Sequence, residues 1–385
     1  MTLYLITELY PLDENDTSMT HALRDFAEAW DAEVIVFRPL QLGISYLKRI
    51  RSYSKLIRQS PKPLGSRPVV FFPLLKIPFV RKYIYRIRKR LVYPPPSFIV
   101  GHSLMGNHLA MHLSKTYGVP FSAGLHAYDV FKLMKEKKQY EPVLRQSSLI
   151  ACRSHPILKQ LHELSGNRYS DKAFVAHSGI EEEQVEELSL FVSKARELNQ
   201  GKLRFVTASR LLKLKHIDIN IQVLAGMKFD FSYTIIGEGP ERKKLQKLID
   251  EHGVSDKIEI LGWKTRAEVL EHFRNADIFI MVSAPETFGL AYLEAMAKGC
   301  LVIGAHGWGI DGIIQDGRNG YLAEPGDARS LEHIIHKILA LPAGQREVIW
   351  KATRESILKM TRQKLARSYL DRIEEWAVGE GKLTS

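Results

Sequence analysis

The stretch Ser283–Gly304, SAPETFGLAYLEAMAKGCLVIG, places Glu286 and Glu294 eight residues apart on either side of a short turn. The apolar run IFIMVSA before the turn predicts a buried strand, and LAYLEAMAKG after it predicts a helix closed by Gly299. The turn PETFG therefore exposes backbone N–H groups at a helix N-terminus, which favours a phosphate. Glu294 could then accept hydrogen bonds from a vicinal diol, and Glu286 from hydroxyl groups farther out. Taken alone, the pair is also explained by a surface acid and an acid that complements the helix dipole.

Two other predicted strand-end turns supply cations and glycines. The segment ASRLLKLKH follows the strand LRFVT and presents Arg210 and Lys215, which could grip a phosphate from one loop, although a solvated charged loop is the simpler explanation. The segment IIGEGPE carries Gly237 and Gly239, which are too few glycines for a dinucleotide fingerprint. The chain contains no GxxxxGK[ST] string, so a P-loop is disfavoured.

Short apolar runs alternate with helical segments along the whole chain, which predicts an α/β fold with parallel sheets. A polar stretch from Glu181 to Lys202 interrupts this alternation, and we expect the domain junction there. The result would be two Rossmann-like halves that face each other, with the ligand site at the carboxyl ends of the strands. The expected strands are LYLITEL, EVIVFRP, PSFIVGHS, PFSAGLH, SSLIACRS and KAFVAHSGI before the junction, and LRFVTASR, FSYTIIGEG, IEILGW, IFIMVSA, CLVIGA and GYLAE after it.

Histidines provide the clearest candidates in the N-terminal half. His126 lies with Asp129 at the end of the strand PFSAGLH, where it could meet a sugar or phosphate, and His102 has a similar but weaker position. A satisfied buried histidine explains either one equally well. No nucleophilic triad and no metal-ligand spacing is present, and the distant cysteines Cys152 and Cys300 favour a reducing compartment.

Charge is concentrated in one region. Residues 34–128 contain no acid and hold 16 Lys and Arg, within a chain of net charge +12. The segment VRKYIYRIRKRLVY predicts a basic amphipathic helix, which suits an anionic membrane surface. A solvated helix face remains an alternative, and nucleic acid is a weaker one, since no nucleic-acid motif is found. No apolar run is long enough to span a bilayer, and the first residues predict a buried strand rather than a signal peptide.

Taken together, these motifs resemble the retaining GT-B glycosyltransferases of glycosyltransferase family 4, also called group 1. The resemblance rests on SRLLKLKHID, IIGEGPERKKLQKL, IEILGW, PETFGLAYLEAMAKG and DGIIQDGRNGYLAEPGD, and is thinner in LHAYDV, ACRS and VAHSGIE. It implies an N-terminal acceptor-binding domain (1–185), a C-terminal nucleotide-sugar-binding domain (200–360) and a helix (361–385) that crosses back onto the first domain.

The resemblance also implies roles for individual residues. Arg210 and Lys215 would stabilise the donor diphosphate, Glu294 would hold the ribose and Glu286 the donor sugar. His126 would lie near the C6 hydroxyl of that sugar and the reacting centre. No metal or other cofactor is expected. The remaining expected contacts with the nucleotide sugar are Gly237, Leu261 and Gly262 (the latter two near the base), Thr287, Phe288, Gly289 and Leu290.

The sequence departs from the family at two places. The usual Gly-Gly turn after the first strand is replaced by a loop without glycine, YPLDENDTSMTHAL, in which Asp16, Thr17 and Ser18 occupy the region. The usual Asn-Gly after the last N-domain strand is HSG, at His177–Gly179. Donor-sugar and acceptor contacts on this side therefore do not follow from the resemblance.

The prediction from sequence is a retaining transferase that uses a UDP- or GDP-sugar in the assembly of a bacterial surface polysaccharide. Its acceptor would be a lipid-linked saccharide, with the basic region 47–92 on the cytoplasmic face of the plasma membrane. A GT-B sugar-nucleotide epimerase and a non-catalytic sugar-binding protein at the membrane surface are the alternatives. The donor sugar, base, acceptor and oligomeric state do not follow from the sequence.

Overall fold

The computed structural model describes residues 1–8, 10–11, 24, 27–42, 62–64, 66–75, 93–198 and 200–379. The chain divides into two compact units. Met1–Arg153, Ile157–Ser178 and Arg362–Ser385 form the N-terminal unit, and Ser154–Pro156 and Gly179–Thr361 form the C-terminal unit. Within the described ranges, no helix combines the length and the hydropathy that crossing a bilayer would require.

The N-terminal unit is built on an eight-stranded sheet with the order β3-β4-β2-β1-β5-β6-β7-β8. Neighbouring strands are parallel, except for the antiparallel pair β3 and β4. The elements are β1 (Thr2–Ile6), β2 (Glu33–Leu42), β3 (Lys62–Leu64), β4 (Arg67–Leu75), β5 (Phe98–His102), α1 (Ser103–Tyr117), β6 (Phe121–Leu125), α2 (Ala127–Lys135), α3 (Lys137–Gln146), β7 (Leu149–Cys152), α4 (His155–Ser165) and β8 (Ala173–Val175).

Strand β1 shows why its apolar run folds this way. Successive side chains of a strand point to opposite faces of the sheet. Accordingly, Leu3 and Leu5 belong to one hydrophobic core, and Tyr4 and Ile6 to another. A strand that serves two cores must be apolar at every position, which is what the continuous run in the sequence predicted.

The C-terminal unit contains a six-stranded parallel sheet with the order β11-β10-β9-β12-β13-β14. Its six strands are the six expected from the sequence, and together with the other sheet they confirm the α/β fold class. The elements are α5 (Leu188–Glu197), β9 (Leu203–Ala208), α6 (Ile217–Ala225), β10 (Phe231–Ile236), α7 (Arg242–Glu251), β11 (Ile258–Gly262), α8 (Arg266–Asn275), β12 (Ile278–Ile280), α9 (Leu290–Ala297), β13 (Leu301–Ala305), β14 (Tyr321–Ala323), α10 (Ala328–Leu339) and α11 (Ala343–Ile357).

The division between the units differs from the expected junction at residues 181–202. The main segment of the C-terminal unit begins at Gly179, and the middle of the stretch forms α5 within that unit. The side chain of Phe191 is fully buried in the core of the C-terminal unit, and Lys194 is buried beside it. The stretch is polar in composition and therefore suggested a linker, because only a narrow apolar stripe of its helix is buried.

The last helix, α12 (Arg362–Gly379), belongs to the N-terminal unit. Tyr369 anchors it there: its hydroxyl lies 2.9 Å from the Ser122 hydroxyl, and its ring stacks on Trp30 with centroids 5.4 Å apart. Trp376 adds an edge-to-face contact with Phe98 at 5.9 Å. The end of the chain thus completes the core of the unit in which the chain begins.

Two expected features lie outside the described residues. One is the basic helix predicted in VRKYIYRIRKRLVY, of which only Tyr93 is described. The other is most of the glycine-free loop at 10–20, including Asp16, Thr17 and Ser18.

Candidate active site

The candidate site in the C-terminal unit is built at the ends of two neighbouring strands, β9 and β12. These strands are parallel and pair directly, so their carboxyl ends meet at the same edge of the sheet. Arg210 and Lys215 follow β9, and the turn with Glu286 follows β12. A backbone hydrogen bond of 3.0 Å from Ala284 N–H to the Leu214 carbonyl ties the two loops together.

Lys215 and Glu286 form an ion pair within this loop cluster. The Lys215 Nζ lies 2.5 Å from Glu286 Oε2, and each side chain is only 13% exposed. The Ser283 hydroxyl donates to the same oxygen at 3.1 Å, and Thr287 N–H donates to the other oxygen at 3.0 Å. The carboxylate is therefore held from three sides, and its orientation is fixed before any ligand binds.

The turn before α9 has the shape that the sequence predicted. Gly289, with φ of 80°, is the residue that precedes the helix, and a Cβ there would lie 2.4 Å from the Tyr292 ring. Gly299 follows the helix with φ of 77°, which confirms its expected position as the closing residue. Phe288 is buried, and Leu290 opens the helix. The first turn of α9 thus begins directly after the turn that carries Glu286.

An open cavity of about 450 Å³ lies at this edge. It brings together the predicted site residues Arg210, Gly237 and Glu294. Trp263 and Lys264 also line it, directly after Leu261 and Gly262, where the nucleotide base was expected. Arg210 and Trp263 are exposed to solvent, Trp263 by 61%. The cavity therefore offers cations, a carboxylate and an exposed aromatic ring.

Glu294 is paired inside this cavity. Its side chain is 12% exposed, and Arg266 Nε and Nη2 each lie 2.9 Å from Glu294 Oε1. Burial raises the pKa of the Glu294 carboxyl above its usual range, and the Arg266 guanidinium opposes that rise. The carboxylate is thus a buried acceptor whose charged form is disfavoured by burial and favoured by Arg266.

Two glycines keep the β10 and β11 ends close to their neighbours. A Cβ at Gly237, which has φ of 137°, would lie 1.9 Å from the Ser209 carbonyl oxygen. A Cβ at Gly262, which has φ of 76°, would lie 2.7 Å from Glu238 Oε1. The Gly237 N–H donates to the Gly262 carbonyl at 2.8 Å. A side chain at Gly237 would clash with backbone, and at Gly262 the positive φ would strain any other residue.

The string GWGIDG, at Gly307–Gly312, has the glycine spacing of a dinucleotide fingerprint. That fingerprint requires a helix directly after the glycine turn. Here the segment after β13 forms consecutive turns instead, and Gly309 (φ 51°) lies against Glu286, with a Cβ there 2.8 Å from Glu286 Cγ. The string therefore supports the Glu286 loop and lacks the context for nicotinamide binding.

His126 belongs to the N-terminal unit, where it precedes α2. Asp129 Oδ2 accepts from the His126 backbone N–H at 2.7 Å and lies 3.1 Å from His126 Nδ1. The ring of His102 meets that of His126 edge-on, with centroids 4.4 Å apart. Burial, together with the charges of His126 and Arg153, holds the pKa of His102 well below its usual range. His102 is therefore a neutral neighbour, and His126 is oriented by Asp129.

Trp263, Lys264 and Arg266 are among the lining residues of the C-terminal cavity that sequence reasoning did not name. A signal for Arg266 was present, because Thr265 and Glu268 form a capping box that fixes the start of α8 beside the β11 end. Across the part of the chain that the structure describes, no three His, Cys, Asp or Glu side chains are grouped to hold a metal ion.

Comparison with known proteins links the C-terminal unit to one family. Residues 191–356 match the family model described as "Glycosyl transferases group 1". The chain is 29% identical over 236 residues to the amylovoran biosynthesis glycosyltransferase AmsK of Erwinia amylovora, a match to 58% of this chain and 55% of that protein. It is 29% identical over 176 residues to the putative colanic acid biosynthesis glycosyltransferase WcaL of Salmonella typhimurium, a match to 43% and 41%. The chain thus spans about half the length of these curated relatives.

Solved structures extend the likeness to the whole chain. Anabaena HepE, crystallised in complex with UDP and glucose, matches with a TM-score of 0.69, covering 97% of this chain and 100% of that one. The identity is 17%, so the likeness concerns the fold. It confirms the two-domain α/β architecture of the GT-B type.

Proposed function

We propose, from the match of residues 191–356 to the glycosyl transferases group 1, that the chain transfers a sugar from a nucleotide-sugar donor to a saccharide acceptor. The observation that carries this proposal is the cavity in which Arg210, Trp263 and Glu294 meet at one sheet edge. Cations, an aromatic surface and a carboxylate together match the three parts of a nucleoside diphosphate. The complex of HepE with UDP and glucose gives the same ligand class a precedent on this fold.

Each part of the nucleotide has a proposed partner. The ribose diol would donate to Glu294, which is the buried carboxylate of the cavity. The base would stack on Trp263, whose ring is available because most of it is exposed. Binding requires Arg266 to share or release Glu294 Oε1, since the guanidinium holds that oxygen in the ligand-free protein.

Departure of the diphosphate would depend on fixed positive charge. Arg210 is exposed at the cavity, and Lys215 is already oriented by Glu286. Preorganised cations and a helix N-terminus stabilise charge that develops on a leaving group, because they need not reorient during the reaction. We infer that no metal ion is required. Activity is expected to persist in excess EDTA, and a complete, magnesium-reversible loss would contradict this inference.

We assign His126 and Glu286 to the donor sugar and infer retention of anomeric configuration. Asp129 fixes the orientation of the His126 ring, and three donors fix the Glu286 carboxylate. Each side chain is therefore already ordered for hydrogen bonding before a ligand binds. The backbone N–H groups that begin α9, from Thr287 to Leu290, would contribute to the sugar and phosphate contacts.

The proposal also includes the chemical class and the location of the acceptor. Relatives named for amylovoran and colanic acid biosynthesis support a role in the assembly of a bacterial polysaccharide. We propose a lipid-linked saccharide acceptor at the cytoplasmic face of the plasma membrane. The basic sequence of residues 34–128, which contains no acid, would bind the anionic surface of that membrane.

Release of the nucleoside diphosphate tests the function directly. The purified protein would be incubated with a panel of UDP- and GDP-sugars, with and without a mixture of lipid-linked saccharide acceptors. Acceptor-dependent release supports the transferase. Conversion of one nucleotide sugar into another without release would identify an epimerase, and binding without turnover would identify a sugar-binding protein.

A further inference from the structure

The N-terminal unit contains a second cavity, of about 220 Å³, between α2, α3 and α4. Leu133, Leu144, Leu161 and Leu164 form its apolar wall together with Tyr169. The first three leucines are buried, whereas Leu164 is 40% exposed and so lies at the opening. A cavity of about 150 Å³ accepts benzene, so this one would take a hydrocarbon of roughly nine carbon atoms by the same proportion.

The opening of this cavity carries charge. Arg168 Nη1 lies 2.5 Å from Glu141 Oε1, and both residues line the cavity. The Arg168 side chain is 58% exposed. Because an exposed pair of this kind contributes little stability, an anionic ligand can replace the Glu141 carboxylate at small cost. Helices α3 and α4 carry further exposed basic residues, Lys138, Arg145 and Lys159.

Tyr169 gives the second, independent sign of a ligand. Its side chain is 5% exposed and lines the cavity. Its buried hydroxyl has no hydrogen-bond partner among the side chains and backbone groups that the structure describes. Burying a polar group without a partner costs free energy, so such groups in native proteins usually meet a ligand or water.

We propose that this cavity binds a single-chain alkyl or prenyl phosphate, with the hydrocarbon between the leucines. The phosphate ester would accept hydrogen bonds from Arg168, in place of Glu141, and from the Tyr169 hydroxyl. This inference rests on the proposed function, because a lipid-linked acceptor presents such a phosphate next to its saccharide. It assigns the lipid of the acceptor to α2–α4 of the N-terminal unit.

The proposal can be tested on the full-length protein with n-octyl phosphate, titrated calorimetrically below its micellar concentration. We expect saturable binding at one site, and at least tenfold weaker binding of n-octanol and of inorganic phosphate. Leu164→Trp fills the opening and Arg168→Gln removes the phosphate partner, so each should weaken octyl phosphate binding at least tenfold.

Matched controls lie in the C-terminal unit. Leu188 is 43% exposed on α5, and Arg196 forms an exposed ion pair of 2.7 Å with Glu347. Leu188→Trp and Arg196→Gln should leave octyl phosphate affinity within twofold of the wild type. Tyr169→Phe should weaken binding several-fold without lowering the melting temperature, which a merely structural role of the hydroxyl would lower.

Several outcomes would overturn the proposal: no saturable binding, unchanged affinity in Leu164→Trp and Arg168→Gln, or a fall in melting temperature for Tyr169→Phe. Binding to vesicles of phosphatidylcholine and phosphatidylglycerol without binding to octyl phosphate would assign the surface to the membrane instead. UDP binding is measured on the same samples. Octyl phosphate binding without UDP binding would contradict the proposed function and support the cavity assignment. UDP binding without octyl phosphate binding would contradict the cavity assignment and support the proposed function.

Discussion

The two cavities differ in character although both units share one kind of framework. The cavity of the C-terminal unit is lined by Arg210, Lys264, Arg266 and Glu294 at the ends of parallel strands. The cavity of the N-terminal unit lies between helices, and half of its lining residues are leucines. Strand ends gather charged loop residues at one edge of a sheet, whereas helix packing creates apolar space. The first arrangement suits a charged nucleotide and the second a hydrocarbon.

Removing the charge of Arg210 should have the largest effect and tests whether the charged cavity binds the diphosphate. Arg210→Ala should lower transfer by about a hundredfold to a thousandfold, the loss that follows removal of one preorganised contact to a developing charge. Lys213→Ala, an exposed lysine three residues away, is the matched control and should retain activity. Steady-state turnover with saturating donor measures the effect. Near-normal turnover of a folded Arg210→Ala protein would contradict the assignment of the diphosphate to this cavity.

A second pair of variants compares a satisfied buried polar group with an unsatisfied one. The Lys194 Nζ donates to the carbonyls of Phe273, Ala276 and Lys298 at 3.3, 2.5 and 2.9 Å. Lys194→Met leaves these carbonyls without their donor. We expect the free energy of unfolding to fall by about 2–4 kcal/mol, because hydrogen bonds from a charged group are lost. Tyr169→Phe removes a hydroxyl without a described partner and should not destabilise the protein.

Denaturant unfolding, followed by circular dichroism, measures both effects. Lys202→Met, at an exposed position of the same unit as Lys194, should change the free energy of unfolding by less than about 0.5 kcal/mol. Equal stability losses in Lys194→Met and Tyr169→Phe would mean that the Tyr169 hydroxyl has a partner in the folded protein, and the contrast between the two units would fail.

The sequence pattern placed the loops of the candidate C-terminal site, because Arg210, Lys215 and Glu286 follow strands directly. Arg210, Lys215, Glu286 and Glu294 could be placed at one sheet edge from the strand pattern alone, since parallel strands end together. What local pattern could not supply was pairing: the Lys215–Glu286 and Arg266–Glu294 ion pairs join segments 71 and 28 residues apart. Such contacts depend on loop conformation, which spacing does not encode.

The N-terminal cavity could not be predicted from the sequence. Leu133, Leu144 and Leu161 lie on three different helices, and the apolar pattern of each helix does not distinguish a filled core from a gap between helices. The expected junction at residues 181–202 differs from the division between the units for a related reason. The apolar stripe of α5, marked by Phe191 and Ala195, is narrow within a polar stretch, and its burial appears only when the other helices of the unit are in place.

Removing the charge of Glu294 should have a smaller effect than removing Arg210. Glu294→Gln keeps the shape of the side chain but replaces an acceptor that can serve both ribose hydroxyls. The affinity for UDP or GDP should fall by about 1–3 kcal/mol, the range for a hydrogen bond to a charged group. Calorimetry measures it. Unchanged affinity would show that the ribose does not contact Glu294. The charged cavity would then lack its proposed contact with the ribose.

The smallest expected effect concerns Arg266 and appears only as pH falls. Burial raises the pKa of Glu294, and Arg266 opposes that rise. Nucleotide binding through the carboxylate is therefore complete above the folded-state pKa and is lost as pH falls through it. Arg266→Gln removes the opposing charge, so the pKa rises further and binding is lost at a higher pH than in the wild type. Because the Arg266 side chain is 44% exposed, solvent screens the pair, and we expect less than a tenfold change in affinity at acidic pH.

The control for Arg266 is Arg274 on the same helix. It is 48% exposed and lies 3.5 Å from Glu186. Arg274→Gln should reproduce the wild-type dependence of UDP affinity on pH, which includes the titration of the ligand phosphate itself. At alkaline pH, Arg266→Gln should bind UDP at least as tightly as the wild type, because the ribose no longer competes with the guanidinium for Glu294 Oε1. Weaker binding of Arg266→Gln by one constant factor at every pH would mean that Arg266 contacts the nucleotide directly and does not act through Glu294.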